Sequence, residues 1–488
     1  MPTFPPDKLA LWTGGQWTAR PSAPLTAFTC DTRRLRAGEV FVAIKTEQRD
    51  GHAFLADAAA AGASAAIVAV PDAAVALPQL VVADPLRALQ AIAAAHRRAF
   101  HGKVIGISGS AGKTSTKDLL ALLLGGAASG VLATEGTLNN ASTTSSVPVT
   151  GAVLATEGTL NNHLGVPLTL TRLDVLQHEF AVIEAGISAP GEMQLLAGMI
   201  EPDIAIITLV APAHTHELGG IEGVAREKAV LPAAVRKGGV AILPKAVAEL
   251  AAFRALGVRT LVVERAEVVL PDVVPSDRAY FAVSHRGEKT AVALSYGSLP
   301  TTGFVFRRVS DGMAQNAALA ITAALALGVP RATVQARIAE WKPAKLRGEV
   351  REIDGRMFYL DCYNANPASM ADALATFEQI APVGVPRLYV IGCMEELGAE
   401  ASAHHRALGR RLKLTAGDRL FVIGTQAHEV CAGVLEQDDF SRQLQIVSSL
   451  EPVAAFLAEW RGAVFVKGSR RYQLEKILEA QTTLPLPC

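Results

Sequence analysis

Short apolar runs recur along the chain, each followed by a glycine-rich or polar turn and then by residues at helical spacing. Such runs occupy 103–108, 180–184, 204–210, 240–243, 358–363, 388–391, 420–423 and 463–466. Continuous Val, Ile and Leu fit strands buried on both faces. Strands alternating with helices predict βαβ units and parallel sheets. In open sheets of this kind ligands bind at the carboxyl ends of the strands. Residues just after each run are therefore the first candidates for chemistry. The pattern predicts an α/β protein of three units. A small unit covers 1–102, and a central unit with a doubly wound, mostly parallel sheet covers 103–328. A further α/β unit covers 329–488, beginning near the Gly328-Val329-Pro330 break. The alanine-rich run 56–66 reads as a buried helix face.

Length agrees with three units, since 488 residues divide at roughly 100–200 per domain. Basic and acidic residues balance at 46 each. That leaves no electrostatic footprint for nucleic acid and none for an anionic membrane surface. The five cysteines, Cys30, Cys362, Cys393, Cys431 and Cys488, form neither a CxxC pair nor a metal-ligand spacing. An odd, scattered set predicts a reducing cytosol. The first ten residues lack the charged-then-apolar order of a signal peptide, and the apolar stretches are too short and broken for a membrane span. A cytoplasmic monomer is expected.

One repeat interrupts the pattern. The ten residues 131–140, Val-Leu-Ala-Thr-Glu-Gly-Thr-Leu-Asn-Asn, recur unchanged as 153–162. Two copies do not make a solenoid. They read as a local duplication in which one copy fills a sheet position and the other is an excursion. Only the second copy runs on into His163-Leu164-Gly165-Val166-Pro167.

The strongest chemical signal follows the run 103–108. Gly109-Ser110-Ala111-Gly112-Lys113-Thr114-Ser115 joins a strand to a helix. Glycines let backbone N–H groups curl around an anion, and the helix N-terminus adds its dipole. Lys113 is placed to reach the terminal phosphates of ATP, and Thr114 to ligate Mg²⁺. The strict pattern wants another glycine where Ile107 stands, so this is a variant. Glu184 ends the run 180–184, where a magnesium ion beside the loop needs an oxygen; a strand-end carboxylate that caps a helix is the even alternative. His214 and His216 follow 204–210 without a third ligand for zinc. Three further clusters lie on strand ends: Asp361 to Pro367, Gly392 to Gly398, and Lys467-Gly468-Ser469-Arg470. Each alone is turn chemistry; together they line a cleft.

At these residues the chain resembles the Mur ligases of peptidoglycan synthesis. Asp31-Thr32-Arg33, 41–45 and Asp50-Gly51-His52 resemble the family's UDP-binding domain. The phosphate loop, 161–167, Glu184, His214 and Lys228 fall in family order. Tyr363-Asn364-Ala365-Asn366-Pro367, Glu396-Leu397-Gly398 and 467–470 carry the rest of the match. The resemblance implies a central P-loop domain, a C-terminal Rossmann-like domain and a small N-terminal domain. It also implies an ATP-dependent amide ligase that activates UDP-MurNAc-tripeptide as an acyl phosphate and joins it to D-Ala-D-Ala.

On this reading Gly109 to Ser115, Asn316, Arg347 and Asp361 contact the nucleotide. Thr114, Glu184, His214 and Lys228 serve two Mg²⁺ ions, with Lys228 at the position that is carbamylated in the family. Lys113, Lys228, His214 and Glu184 are the catalytic set. Thr32, Arg33, Lys45, Thr156, Glu157, Asn161, Asn162, Asn364, Asn366, Lys467, Ser469 and Arg470 match substrate-contacting positions. Gly312-Met313, Pro244, Cys393 and Val230 depart from the family pattern. A catalytically silent ATP-binding paralogue, and a sibling Mur or folylpolyglutamate-type ligase, are the alternatives.

Overall fold

The computed structural model describes residues 2–126, 152–213, 215–266, 270–271, 273–298 and 300–482. Among these residues the strands form three sheets, of five, nine and six strands. All eight apolar runs contain a strand.

The nine-stranded sheet is the one that positions the phosphate loop. Its order is Thr302–Arg307, Lys289–Tyr296, Arg278–Arg286, Thr260–Arg265, Val240–Pro244, Ile204–Ile207, Lys103–Ser108, His178–Glu184, Ala152–Ala155. From Ala152–Ala155 to Arg278–Arg286 every pairing is parallel, and the last two are antiparallel. Lys103–Ser108 lies between Ile204–Ile207 and His178–Glu184, and the strand order changes direction there. Such a switch point opens a crevice at the carboxyl end of the sheet.

Helices cover both faces. Leu119, Leu120 and Leu123 of the helix Lys113–Leu124 share one core with the buried alanines of the helix Asp311–Ala326. Small side chains let two helices and a sheet approach closely while still excluding water. The helices Glu192–Ile200 and Gly220–Ala233 pack on the other face.

The six-stranded sheet runs Glu349–Ile353, Arg356–Asp361, Ala463–Lys467, Arg387–Gly392, Arg419–Ile423, Leu444–Val447. It is parallel except for its first pairing. That pairing is a hairpin with Asp354 (φ 51) and Gly355 (φ 71) as its two-residue loop, the dipeptide that a twisted two-residue turn favours. The five-stranded sheet is N-terminal and ends its unit in the helix Pro85–Arg98, whose first N–H groups are capped by Asp84. Arg97 on that helix is fully buried; it donates to the carbonyls of Ile200 and Glu201 and pairs with Asp203 at 3.1 Å. A buried guanidinium satisfied this way fixes the first unit against the second.

Two expectations are corrected. The Gly328-Val329-Pro330 break is a turn, not the end of the central unit. The helix Arg331–Ala339 beyond it puts Val334 and Ile338 into the core of the nine-stranded sheet. Its Gln335 side chain also bonds both the N–H and the carbonyl of Val305 on the edge strand. The alanine run at 56–66 is a helix only over Leu55–Ala60; Ala65 and Ala66 begin a buried strand.

Among the described residues, the start of the second copy of the duplicated segment lies in the sheet. Ala152–Ala155 pairs with His178–Glu184; the first copy, 131–140, lies outside the described residues. The chain on either side of 127–151 is close: a Cβ on Gly126 would stand 3.4 Å from the Val153 Cβ. Residues 127–130 are enough to bridge that gap. A variant lacking 131–152 is therefore expected to fold, with an apparent Tm within about 5 °C of the full chain. Thermal unfolding checks this, and loss of a cooperative transition would contradict it.

Candidate active site

The turn from Lys103–Ser108 into the helix Lys113–Leu124 depends on two glycines. Gly109 has φ +149, and a Cβ there would lie 2.0 Å from Thr208 Oγ1. Gly112 has φ +81, and a Cβ there would lie 2.3 Å from Asn316 Nδ2. Only glycine combines such backbone angles with such close neighbours. Thr208 donates to the Ala111 carbonyl, fixing the loop from the adjacent strand. Lys113 Nζ donates to the Gly109 carbonyl at 2.8 Å. Burial pushes the Lys113 amine below its usual range, Glu184 opposes that, and Arg347 adds to it. The loop thus holds a cation and a helix N-terminus in one place, which suits a polyphosphate.

Glu184, at the end of the neighbouring strand, is 1 % exposed. Its Oε1 accepts from Thr114 Oγ1 at 3.3 Å and from Asn161 Nδ2 at 2.8 Å. Its backbone N–H donates to Thr156 Oγ1 at 2.9 Å. Oε2 is buried with no hydrogen-bond partner among the described residues. Burying an unpaired carboxylate oxygen is costly, and a hard divalent cation is the ligand that relieves it. No cluster of three His, Cys, Asp or Glu side chains is placed for a metal among the described residues. His214, expected as a ligand, lies outside them. Lys228 is buried on the helix Gly220–Ala233. Burial holds its amine well below the ordinary lysine range, and the nearby Lys113 lowers it further.

The C-terminal sheet supplies the opposite wall. Asn366 caps the helix Pro367–Ile380: its side-chain oxygen accepts from Ser369 N, while Nδ2 donates to the Ser110 carbonyl of the phosphate loop at 3.2 Å. An asparagine provides both an acceptor and a donor; an aspartate would not. The Arg347 guanidinium lies 4.1 Å from the centre of the Tyr363 ring and donates to Thr114 Oγ1 at 3.1 Å. The Tyr363 hydroxyl bonds Thr159 Oγ1 at 3.1 Å.

These groups enclose a cavity of about 600 Å³. Ser110 to Ser115, Asn161, Asn162 and Glu184 line its central wall. Asn316, Arg347, Asp361, Asn364, Asn366 and Lys467 complete it. Other expected contacts are already committed. Lys467 is 1 % exposed and spends its three N–H groups on Asp361 Oδ2, the Asp361 carbonyl and the Asn364 carbonyl. These bonds fix the orientation of Asp361 at the cavity wall. Ser469 accepts from Glu395 N, and Arg470 pairs with Glu475; neither lines the cavity. Thr156 is buried under Glu184. Thr32, Arg33 and Lys45 lie on the N-terminal unit away from this cavity: Arg33 is paired with Asp31 at 2.7 Å and Lys45 with Asp50 at 3.5 Å. Arg34, 3.7 Å from Glu157, and Gln90, which donates to the His163 carbonyl at 2.9 Å, reach the loop after Ala152–Ala155 from the N-terminal unit.

The comparisons with known proteins agree with this geometry. Residues 107–263 match the Mur ligase middle domain, and 346–470 match the Mur ligase, glutamate ligase domain. The UDP-N-acetylmuramoyl-tripeptide–D-alanyl-D-alanine ligase of Escherichia coli strain K12 is 30% identical over 466 residues, 93% of each chain. The chain belongs to the Mur ligase family. A crystal structure of MurF from Acinetobacter baumannii is similar with a TM-score of 0.81 and 27% identity over 98% of both chains. The MurF ligase from Thermotoga maritima, solved with ADP, shares the fold at a TM-score of 0.74 and 23% identity, covering 93% of this chain and 96% of that one.

Two departures of this Mur ligase from the family pattern have a visible partner. A Cβ on Gly312 would lie 2.7 Å from Asp372 Oδ2. Asp372, on the C-terminal unit, accepts from Gly312 N at 2.9 Å and so caps the helix Asp311–Ala326. Pro244 lines a second cavity of about 660 Å³, with Val263, Tyr280 and Lys245. Gln315 lines both cavities and makes them neighbours. Thr208, Asp372, Gln315 and Thr159 escaped the sequence reading because none sits in a motif. Gln315 and Asp372 lie on helices, Thr208 just past a strand and Thr159 in a turn, and only the fold brings them to the phosphate loop.

The Lys228 amine gives a pH signature. Its folded pKa lies below its unfolded value, so the unfolded chain binds more protons and stability rises with pH up to the ordinary lysine range. In CO₂-free buffer without nucleotide, Lys228→Met is expected to be at least as stable as the wild type at pH 7. It should also lose part of the gain in apparent Tm between pH 7 and pH 9. Identical slopes for the two proteins would contradict the assignment.

Proposed function

We propose that this Mur ligase joins D-alanyl-D-alanine to the terminal carboxylate of UDP-N-acetylmuramoyl-tripeptide, cleaving ATP to ADP and phosphate. Its relatives are named for that reaction. The observation that supports it most is the Asn161–Glu184 bond. It ties a loop outside the nucleotide motif to the carboxylate beside the phosphate loop, so the two reacting partners meet in one cavity.

The chemistry follows from the poor electrophilicity of a carboxylate. A carboxylate oxygen of the tripeptide attacks the γ-phosphorus of ATP, the bond to the bridging oxygen breaks, and ADP leaves. The acyl phosphate then takes the dipeptide amine at its carbonyl carbon; phosphate leaves and the amine loses its proton. Lys113 and the loop N–H groups offset the charge that develops during phosphoryl transfer. Arg347 moves from Thr114 to the phosphates. Thr114 and Glu184 fit one Mg²⁺, and His214 and a carbamylated Lys228 would serve a second; bound metal would supply further charge neutralisation. The neutral Lys228 amine is the form that combines with CO₂, which turns a buried cation into an anion.

The adenine is assigned to the second cavity, where Gln315 offers an amide edge. The N-terminal unit would hold the UDP end, with Thr32, Arg33 and Lys45 on its loops. The central unit then runs from 103 to about 341 and binds ATP, and the rest forms the ligase wall. Asn162, with its side-chain oxygen spent on Leu164 N and Gly165 N, presents its amide N–H groups to the muropeptide. No helix among the described residues is long and apolar enough to cross a membrane. In this reading the protein is a cytoplasmic monomer acting on small molecules, with no nucleic-acid partner.

Phosphate release measured with ATP, Mg²⁺ and a panel of UDP-muramyl peptides tests the proposal. Turnover is expected only when both a tripeptide and D-Ala-D-Ala are present, and the panel identifies the third residue. Nucleotide binding without turnover on any peptide would instead favour a silent paralogue, the reading that Gly312-Met313 and Pro244 bring to mind.

A further inference from the structure

Lys117 is buried, 2 % exposed, and plays no part in the chemistry above. It lies one turn after Lys113 on the same helix, so the two side chains share a face. Lys113 turns to the phosphate loop. Lys117 turns to the loop that follows Ala152–Ala155, donating to the Thr156 carbonyl at 2.7 Å and the Gly158 carbonyl at 3.4 Å. Its third direction is met by Asp118 at 2.8 Å. A buried ammonium is tolerated only when its donors are matched, and here two of the three partners belong to one loop while the third, Asp118, is on the helix itself.

That loop is where the three units meet. Glu157 faces Arg34 of the N-terminal unit at 3.7 Å, Thr159 bonds Tyr363 of the C-terminal unit, and Asn161 bonds Glu184 of the central sheet. Thr156 Oγ1 receives the Glu184 N–H. Gly158, at φ +54, makes the turn between these contacts. The loop is therefore hung from its start by Thr156 and from its end by Asn161, and Lys117 holds the stretch between them onto the helix that carries Lys113.

We propose that Lys117 is a positioning residue that registers the muropeptide-binding loop against the phosphate loop. A single rigid helix then sets the distance between nucleotide and acceptor carboxylate. An in-line transfer needs the attacking oxygen within a few tenths of an ångström of its working position, and holding it there is a large part of the rate. This inference rests on the proposed function, because it takes the loop to be the muropeptide site.

The test compares the wild type with Lys117→Met and Lys117→Arg by steady-state phosphate release, ADP binding and thermal unfolding. Lys117→Met is expected to raise KM for UDP-MurNAc-tripeptide roughly ten-fold and lower kcat by a similar factor. ADP affinity and KM for D-Ala-D-Ala should stay within about three-fold. Lys117→Arg, which keeps the donors, should recover part of the loss. Unchanged muropeptide kinetics in Lys117→Met overturn the proposal. So does a uniform loss across all three substrates together with a fall in Tm, because that is what a purely structural staple produces. If the Met variant does not fold, Lys117→Gln, with a neutral amide in place of the ammonium, carries the same expectation; failure of both to fold makes the residue structural and overturns the proposal. Absence of tripeptide-dependent turnover in the wild type is a separate outcome. It removes the function itself and the inference with it.

Discussion

The arrangement depends on one buried carboxylate. Glu184 sits at the end of a fully covered strand, where an unpaired negative charge is strongly disfavoured. One of its oxygens is held by Thr114 from the phosphate loop and by Asn161 from the loop after Ala152–Ala155. Its backbone is held by Thr156. The other oxygen has no described partner. The carboxylate is thus pinned in orientation and left incomplete, which is the state a metal site needs before its ion arrives. The strand order explains why this falls where it does. The sheet changes direction at Lys103–Ser108, so the phosphate loop and Glu184 stand on adjacent parallel strands at their carboxyl ends.

From that point the coupling between units reads as a set of short polar links. Asn366 reaches Ser110, Tyr363 reaches Thr159, Arg347 reaches Thr114, and Asp372 caps the helix Asp311–Ala326. All four are single hydrogen bonds, each with a side chain as one partner. Links of this kind break and reform at modest cost, which suits a cleft that must admit three substrates and release three products. The N-terminal side differs. Arg97, fully buried and bonded to two carbonyls and Asp203, makes a fixed joint there.

Much of this was legible in the sequence. Buried parallel strands are continuous apolar runs, so eight of them stood out, and the phosphate loop between strand and helix was unmistakable. The antiparallel additions were not seen. Arg278–Arg286, Lys289–Tyr296 and Thr302–Arg307 largely alternate buried with more exposed positions because they extend the sheet towards its edge. The Asp354-Gly355 hairpin carried a local signal that was passed over. The central unit was ended too early because Gly328-Val329-Pro330 looks like a linker, whereas the core role of Val334 and Ile338 depends on contacts distant in sequence. At the site, motif residues such as Lys113, Glu184 and Asn366 line one cavity. A sequence cannot show that the three donors of Lys467 already have partners within the chain. Lys117 looked like an ordinary helix lysine, since its partners, two carbonyls about 40 residues away, carry no side-chain signature.

The most direct measurement is Mg²⁺-dependent phosphate release by Glu184→Gln. Glutamine keeps an oxygen for Thr114 and Asn161 and replaces the unpartnered oxygen with an amide. The account predicts a protein that unfolds like the wild type and still binds ADP without metal, but whose Mg²⁺-dependent turnover falls by roughly 10²–10³. Turnover within about three-fold of the wild type would contradict the claim that the site is organised around that carboxylate.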